Sequence, residues 1–215
     1  RDGRNPLRGC VSAIDGIAVR IQRPSVADAP NPVSYYNRKG FFALNVQAAV
    51  GADFKVQFLS AVTAGSCHDS TAFSACGLSA YLAADASLPD GFWVAADDAY
   101  VAGKRVLTPW PGRNLPWERD SFNFYQSSCR IFVEQVFGQV VSRWGVLWRP
   151  LRFSFSTSTR DIFVCVRLHN FLIERRSPEA VGLWEGDAAG GSSDVHWQNH
   201  CDLDPRQRHR RRDGE

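Results

Sequence analysis

Asp15, Asp97 and Glu134 are acids that the sequence sets beside apolar residues. Asp15 lies within an alternating apolar run, Asp97 directly follows Phe92-Trp93-Val94-Ala95-Ala96, and Glu134 borders a helical apolar stripe. An ionised carboxylate against a core is costly unless it is paired, hydrogen-bonded or bound to a cation. A divalent ion removes that cost, and hard oxygen donors suit Mg²⁺ or Mn²⁺. Two such ions about 4 Å apart, shared by carboxylates, activate a water or a 3′-hydroxyl and stabilise the leaving oxygen of a phosphodiester. The chemistry suggested is metal-dependent phosphodiester cleavage or transfer, with all three acids as catalytic metal ligands. The six cysteines are scattered without a C-x-x-C pair, which argues against a zinc ribbon and supplies no disulfide framework; a reducing compartment fits best.

Positioning these acids requires a sheet and a long helix. Alternation over residues 10–22 places Val11, Ala13, Ile17, Val19 and Ile21 on one face of a strand, with Asp15 in phase. Phe42, Leu44, Val46, Ala48 and Val50 alternate next, then Phe54, Val56, Phe58, Ser60 and Val62 after the Gly51-Ala52-Asp53 turn, predicting an antiparallel meander. Asp69-Ser70 can cap a helix running to about Tyr81. Residues 92–96 are apolar on both faces and read as a central strand. After a Pro-rich loop over 108–116, a long helix is predicted from about Asp120 or Ser121, in which Val133, Val136, Phe137, Val140, Val141 and Trp144 share one face. At about 100° per residue, Glu134 falls about 20° beyond the edge of that stripe. Gly138 leaves space above it, and Arg130, one turn earlier, is placed to orient the carboxylate or meet a phosphate. A shorter helix is predicted over about 159–175. This order is that of an α/β, ribonuclease-H-like three-layer α/β/α domain with a mixed sheet.

At 215 residues the chain suits one core, and 44% hydrophobic with 22% charged residues excludes wholesale disorder. Its apolar stretches fall far short of the roughly 20 residues of a membrane helix, so no membrane partner is expected. A net charge of +3 permits nucleic acid as a partner without demanding it. The chain starts Arg-Asp-Gly-Arg, contains no Met, and reads as part of a longer protein. Residues 1–176 are expected to form the catalytic domain and 177–215 a disordered polar and basic tail. In that tail His196, His200 and Cys201 only loosely suggest a metal site, and the Arg-rich run over 206–212 suits nuclear import, a DNA contact or plain solubilising charge.

Several blocks in order resemble the DDE superfamily endonuclease domain of PIF/Harbinger transposases and their domesticated relatives. They are Ile14-Asp15-Gly16 with Ile21-Gln22-Arg23-Pro24; Tyr36-Asn37-Arg38-Lys39-Gly40 with Leu44-Asn45-Val46-Gln47; and Gly65-Ser66-Cys67-His68-Asp69-Ser70. Asp97-Asp98-Ala99-Tyr100 with Leu107-Thr108-Pro109, then Phe122-Asn123, Arg130, Val133-Glu134 and Phe137-Gly138, and finally Leu168-His169-Asn170-Phe171-Leu172 complete the match. The resemblance implies catalytic acids at Asp15, Asp97 and Glu134, two divalent ions, a DNA substrate and a nuclear location. It also implies a helical DNA-binding segment ahead of this region or a separate DNA-binding partner protein, and it leaves a homo-oligomer open. The family has Gly before its second aspartate and a small residue after it, where this chain has Ala96 and Asp98, so the register between Asp97 and Asp98 stays open.

Plainer readings stand beside these. His68 and Asp69 are auxiliary ligand or phosphate-contact candidates, but Asp69 as a helix N-cap explains the same turn. Arg38 and Lys39 suit a grip on the DNA backbone or a solvated pair at a strand entry. His169 and Asn170 read as a buried hydrogen-bonding pair. A catalytically silent DNA- or protein-binding derivative of a transposase is the rival to an active nuclease, and a paired-carboxylate glycosidase is a remote third.

Overall fold

β1 (Cys10–Arg20) is apolar on both faces and takes the centre of a five-stranded sheet. The computed structural model describes residues 7–84 and 87–175, and the tail assignments over 177–215 lie outside them. β1 pairs antiparallel with β2 (Ala43–Val50), which pairs antiparallel with β3 (Val56–Ala64), so the expected meander forms. On its other side β1 runs parallel to β4 (Trp93–Ala95), and β4 parallel to β5 (Val106–Leu107), giving the mixed order β3-β2-β1-β4-β5. β5 has no counterpart in the sequence reading, because two residues are too few to show a period.

Helices cover both faces. Ile14, Ala49 and Val94 pack on one side with Phe73 of α1 (Asp69–Ser74), Leu82 of α2 (Gly77–Ala83) and Cys76 in the break between them. On the other, Ile17, Val19 and Val46 meet Val136, Phe137 and Val140 of α3 (Trp117–Arg143) and Ile162 and Val166 of α4 (Phe155–Glu174) around a void of about 20 Å³. These are the expected three layers.

The strand phases are less regular than alternation predicts. A register shift between Cys10 and Ser12 turns Val11 to the α1/α2 side, away from Ala13, Ile17 and Val19. Two further shifts interrupt the pairing of β2 with β3, so Phe58 packs with the α1/α2 cluster, Val56 and Leu59 face α3 and α4, and Val62 is exposed while Ala61 is buried. An extra residue at a bulge reverses every later side chain, and nothing in a strand's own sequence announces it.

Helix boundaries also move. The single helix expected from Asp69 to Tyr81 is two, broken between Ser74 and Gly77. α3 begins at Trp117, earlier than predicted, with Glu118 and Asp120 in its first turn where the helix dipole favours acids. α4 begins at Phe155, four residues before the prediction, because Ser154 accepts from the Thr157 N–H as an N-cap.

His169 and Asn170 tie α4 to the turn between β2 and β3. Asn170 donates to Val56 O at 2.8 Å and accepts from Val56 N–H at 2.9 Å. His169 is fully buried and bonds Phe54 O through Nε2 at 2.9 Å, while Nδ1 faces Arg143 at 3.3 Å. A carbonyl only accepts and a guanidinium only donates, so the ring carries its proton on Nε2 and is neutral. Burial, the larger cause, and the Arg143 charge both hold its pKa below the ordinary histidine value. Asn170→Ala is expected to destabilise the fold by about 2 kcal/mol, read as a lower urea midpoint at unchanged slope, since it strands both backbone groups of Val56.

Candidate active site

Asp15 and Asp97 are brought together by a strand register. Ala13 of β1 aligns with Ala95 of β4 in parallel pairing. Asp15 and Asp97 each lie two residues beyond this last pair, Asp15 still within β1 and Asp97 just past the end of β4. Both carboxylates are half-buried. Burial pushes the Asp15 pKa up to about 7; the neighbouring Asp97 and Asp69 charges add to this, while the Gly16 N–H, which donates to Oδ1 at 2.7 Å, and the Arg130 charge oppose it. Burial also raises the Asp97 pKa, against the Ala99 N–H, which donates to Oδ1 at 3.0 Å, and against Arg130. Asp98 points to solvent. Ala96 N–H still donates to Leu107 O, and a turn closed by Tyr100 N–H on Asp97 O follows at once, leaving Asp97 partly buried and Asp98 exposed.

α3 crosses this sheet edge with Gln126, Arg130 and Glu134 at i, i+4 and i+8 on one face. Gln126 is fully buried, and its Nε2 donates to Ala96 O at 2.7 Å and Leu107 O at 2.9 Å, pinning the helix to the ends of β4 and β5. Arg130 lowers the pKa of both Asp15 and Asp97, and its Nη2 lies 3.5 Å from Glu134 Oε1. One guanidinium thus links the three acids electrostatically. The Glu134 side chain is 47% exposed. Among the described residues no three His, Cys, Asp or Glu side chains converge tightly enough to enclose an ion; the Asp97 charge reaches Asp15, and Glu134 is held by Arg130.

A polar network backs Asp15 from the opposite face of the sheet. Asp69 is not the N-cap of α1: His68 occupies that position without a side-chain capping bond. Asp69 Oδ1 instead accepts from Asn45 Nδ2 at 2.9 Å and Gln47 Nε2 at 3.1 Å. Gln47 Oε1 accepts from the Tyr100 hydroxyl at 2.7 Å, and its Nε2 donates to Asn45 Oδ1 at 2.7 Å. The Asp69 carboxylate comes so close to Gly16 that a Cβ there would lie 2.2 Å from Oδ1. The amides of β2 therefore hold a fourth carboxylate directly behind the residue that follows Asp15.

The remaining candidates are apart from this centre. His68 is exposed. Arg38 and Lys39 are exposed in the turn before β2, near Ile21, whose N–H donates to Phe42 O. Asp15 pairs with Ala48 and Arg20 with Ala43, so these two basic residues lie beyond the far end of β1, roughly 17 Å along the strand from Asp15. Gln126 had no place in the sequence reading, and Asn45, Gln47 and Tyr100 entered it only as parts of the resemblance blocks, with no contact assigned. For Gln126 a signal existed: counted at about 100° per residue it falls inside the apolar stripe of α3. Asn45 and Gln47 look like the solvent phase of β2 until helices are known to cover both faces.

Sheet order and flanking layers define a ribonuclease-H-like α/β domain, with Asp15 and Asp97 brought together where β4 leaves β1. Residues 14–170 match the DDE superfamily endonuclease family, and the chain belongs to it. Among curated proteins it is 26% identical over 189 residues to "Putative nuclease HARBI1" of Rattus norvegicus and 24% identical over 187 residues to its Homo sapiens counterpart, in each case covering 86% of this chain and 50% of the relative. It is also 24% identical over 183 residues to "Protein ALP1-like" of Arabidopsis thaliana, covering 78% of this chain and 44% of that protein. The chain spans about half the length of the curated relatives it matches. No solved structure matches.

Proposed function

We propose that this domain cleaves DNA phosphodiester bonds with divalent metal, Mg²⁺ or Mn²⁺, and that Asp15 and Asp97 are its principal ligands with Glu134 completing the set. The observation that carries the reading is that the β1–β4 register brings Asp15, in the middle of β1, and Asp97, just past β4, to the same place, where both carboxylates are half-buried and the Asp97 charge adds to the rise of the Asp15 pKa. The donor set fits: hard carboxylate oxygens, no thiolate, and an arginine now supplying the positive charge. When bound, the metal would supply a Lewis acid and an activated water at the scissile phosphate. Gln126 holds α3 against the strand ends, Asp69 adds negative charge behind Asp15, and Arg130 orients Glu134 and is available to a phosphate oxygen. DNA as substrate, transfer of the cut strand, and a separate DNA-binding partner or second copy belong to the same proposal.

A silent binding module is the second reading, favoured by the Arg130–Glu134 pair that keeps Glu134 half exposed. Calorimetric titration with Mn²⁺ separates the two. The nuclease reading expects binding that Asp97→Asn weakens at least about tenfold and Asp98→Asn leaves intact. Absence of binding at millimolar Mn²⁺, or equal losses from both variants, favours the silent module.

A further inference from the structure

At the rim of the acid site the loop after β5 presents an aromatic ring that is exposed yet held. Trp110 is 47% exposed. Its backbone is clamped from both sides by one side chain: Trp110 N–H donates to Asn123 Oδ1 at 2.8 Å, and Asn123 Nδ2 donates to Trp110 O at 3.0 Å. The Arg119 guanidinium stacks over the ring, 4.3 Å from its centroid. Three side-chain contacts spent on holding an exposed Trp still are hard to assign to stability, because a ring that only completes the core would be buried. They reduce the entropy lost when a flat ligand stacks on it.

Its place in the fold identifies that ligand. Asn123 lies one turn before Gln126, which binds Ala96 O, and Ala96 directly precedes Asp97. Along the axis of α3, Asn123 is about 10 Å from Arg130. That separation is roughly three stacked nucleotide steps of about 3.4 Å each. Trp117 and Phe124, 74% and 67% exposed, extend the apolar rim on the same stretch of α3. A paired base in a duplex has both faces covered by its neighbours, so only an unpaired base can present a face to the ring.

We propose that Trp110, backed by Arg119 and positioned by Asn123, is a stacking platform for an unpaired base of the DNA strand that enters the acid site. This rests on the DNA-nuclease reading for its substrate but not on metal, so it is tested in EDTA. The probe is a short single-stranded oligonucleotide carrying a central 2-aminopurine, with the same strand annealed to its complement as comparison. The intact chain is expected to quench the single-strand fluorescence and to quench the duplex much less. Trp110→Ala is expected to remove the quenching and weaken single-strand affinity at least about fivefold. Trp110→Phe is expected to recover part of both, and Trp148→Phe, in the short turn after the C-terminus of α3, to change neither. Asn123→Ala is expected to reduce quenching with Trp110 intact, because the platform then loses its position. Equal quenching by Trp110→Ala and wild type, equal quenching of duplex and single strand, or no single-strand binding would each overturn the proposal. None of these variants alters a carboxylate of the acid site and the assay contains no metal, so failure here and failure of the metal reading are read separately.

Discussion

Asp15→Asn is expected to lower metal-dependent DNA cleavage about a thousandfold or more while making the metal-free protein more stable at neutral pH. The two effects share one cause. Burial raises the Asp15 pKa to about 7, whereas an unfolded aspartate titrates near its ordinary value of 3.8. A carboxyl whose folded pKa is raised contributes stability that is fully present below the unfolded pKa and is lost as pH rises through the folded one. Between about pH 4 and 7 the metal-free protein should therefore lose stability, and by pH 8 the ionised carboxylate imposes its full desolvation cost. Asn keeps the shape, cannot ionise, and removes that slope. For a partly buried group the gain is about 1–2 kcal/mol after solvent screening, or about 2–8 °C in a domain of this size. Thermal melting at pH 4 and pH 8 in EDTA, beside cleavage assays in Mn²⁺, checks both arms. A variant as active as wild type would remove Asp15 from the site, and a variant destabilised equally at both pH values would make it a structural residue.

Gly16→Ala is expected to be among the most damaging single-methyl additions in the chain. The added Cβ would stand 2.2 Å from Asp69 Oδ1 and 2.5 Å from Gln47 Nε2. Neither neighbour is free to yield: Asp69 is held by two amides, and Gln47 is held by Asp69, Asn45 and the Tyr100 hydroxyl. Opening the space means breaking several buried hydrogen bonds or shifting β1 off β2, at an expected cost of about 3 kcal/mol. A double-mutant cycle locates the cause. Asp69→Ala alone should destabilise, yet Gly16→Ala in the Asp69→Ala background should cost less than half of what it costs in wild type, because the nearest obstruction is gone. Additive losses would mean that the methyl is excluded by something other than the Asp69 network. Catalytically, Gly16→Ala displaces the residue next to Asp15, so activity should fall beyond what the unfolded fraction explains.

The resemblance blocks and the structure meet most closely where chemistry is local. Leu168-His169-Asn170 is a clamp on the β2–β3 turn, as its apolar helical setting suggests, and its polar atoms are all spent on Phe54, Val56 and Arg143. Of the two readings of Asp69, the N-cap fails, although an acid at a helix start is usually a cap. Its carboxylate is claimed instead by Asn45 and Gln47, more than twenty residues earlier, and no local pattern encodes that distance.

By itself the sequence determined the order of the principal elements, the apolar stripe of α3, the meander, and the choice of acids set against apolar surface. Periods of 2 and 3.6 are properties of neighbouring residues and survive without knowledge of the fold. Tertiary structure decided which of Asp97 and Asp98 turns inward, which face Val11, Phe58 and Val62 occupy, and that Gln126, Asn45, Gln47 and Tyr100 serve the acid cluster. It also set Glu134 on Arg130 rather than directly between the aspartates. Each of these depends on the register between strands and on the helix laid across them, which is fixed by packing between residues distant in sequence.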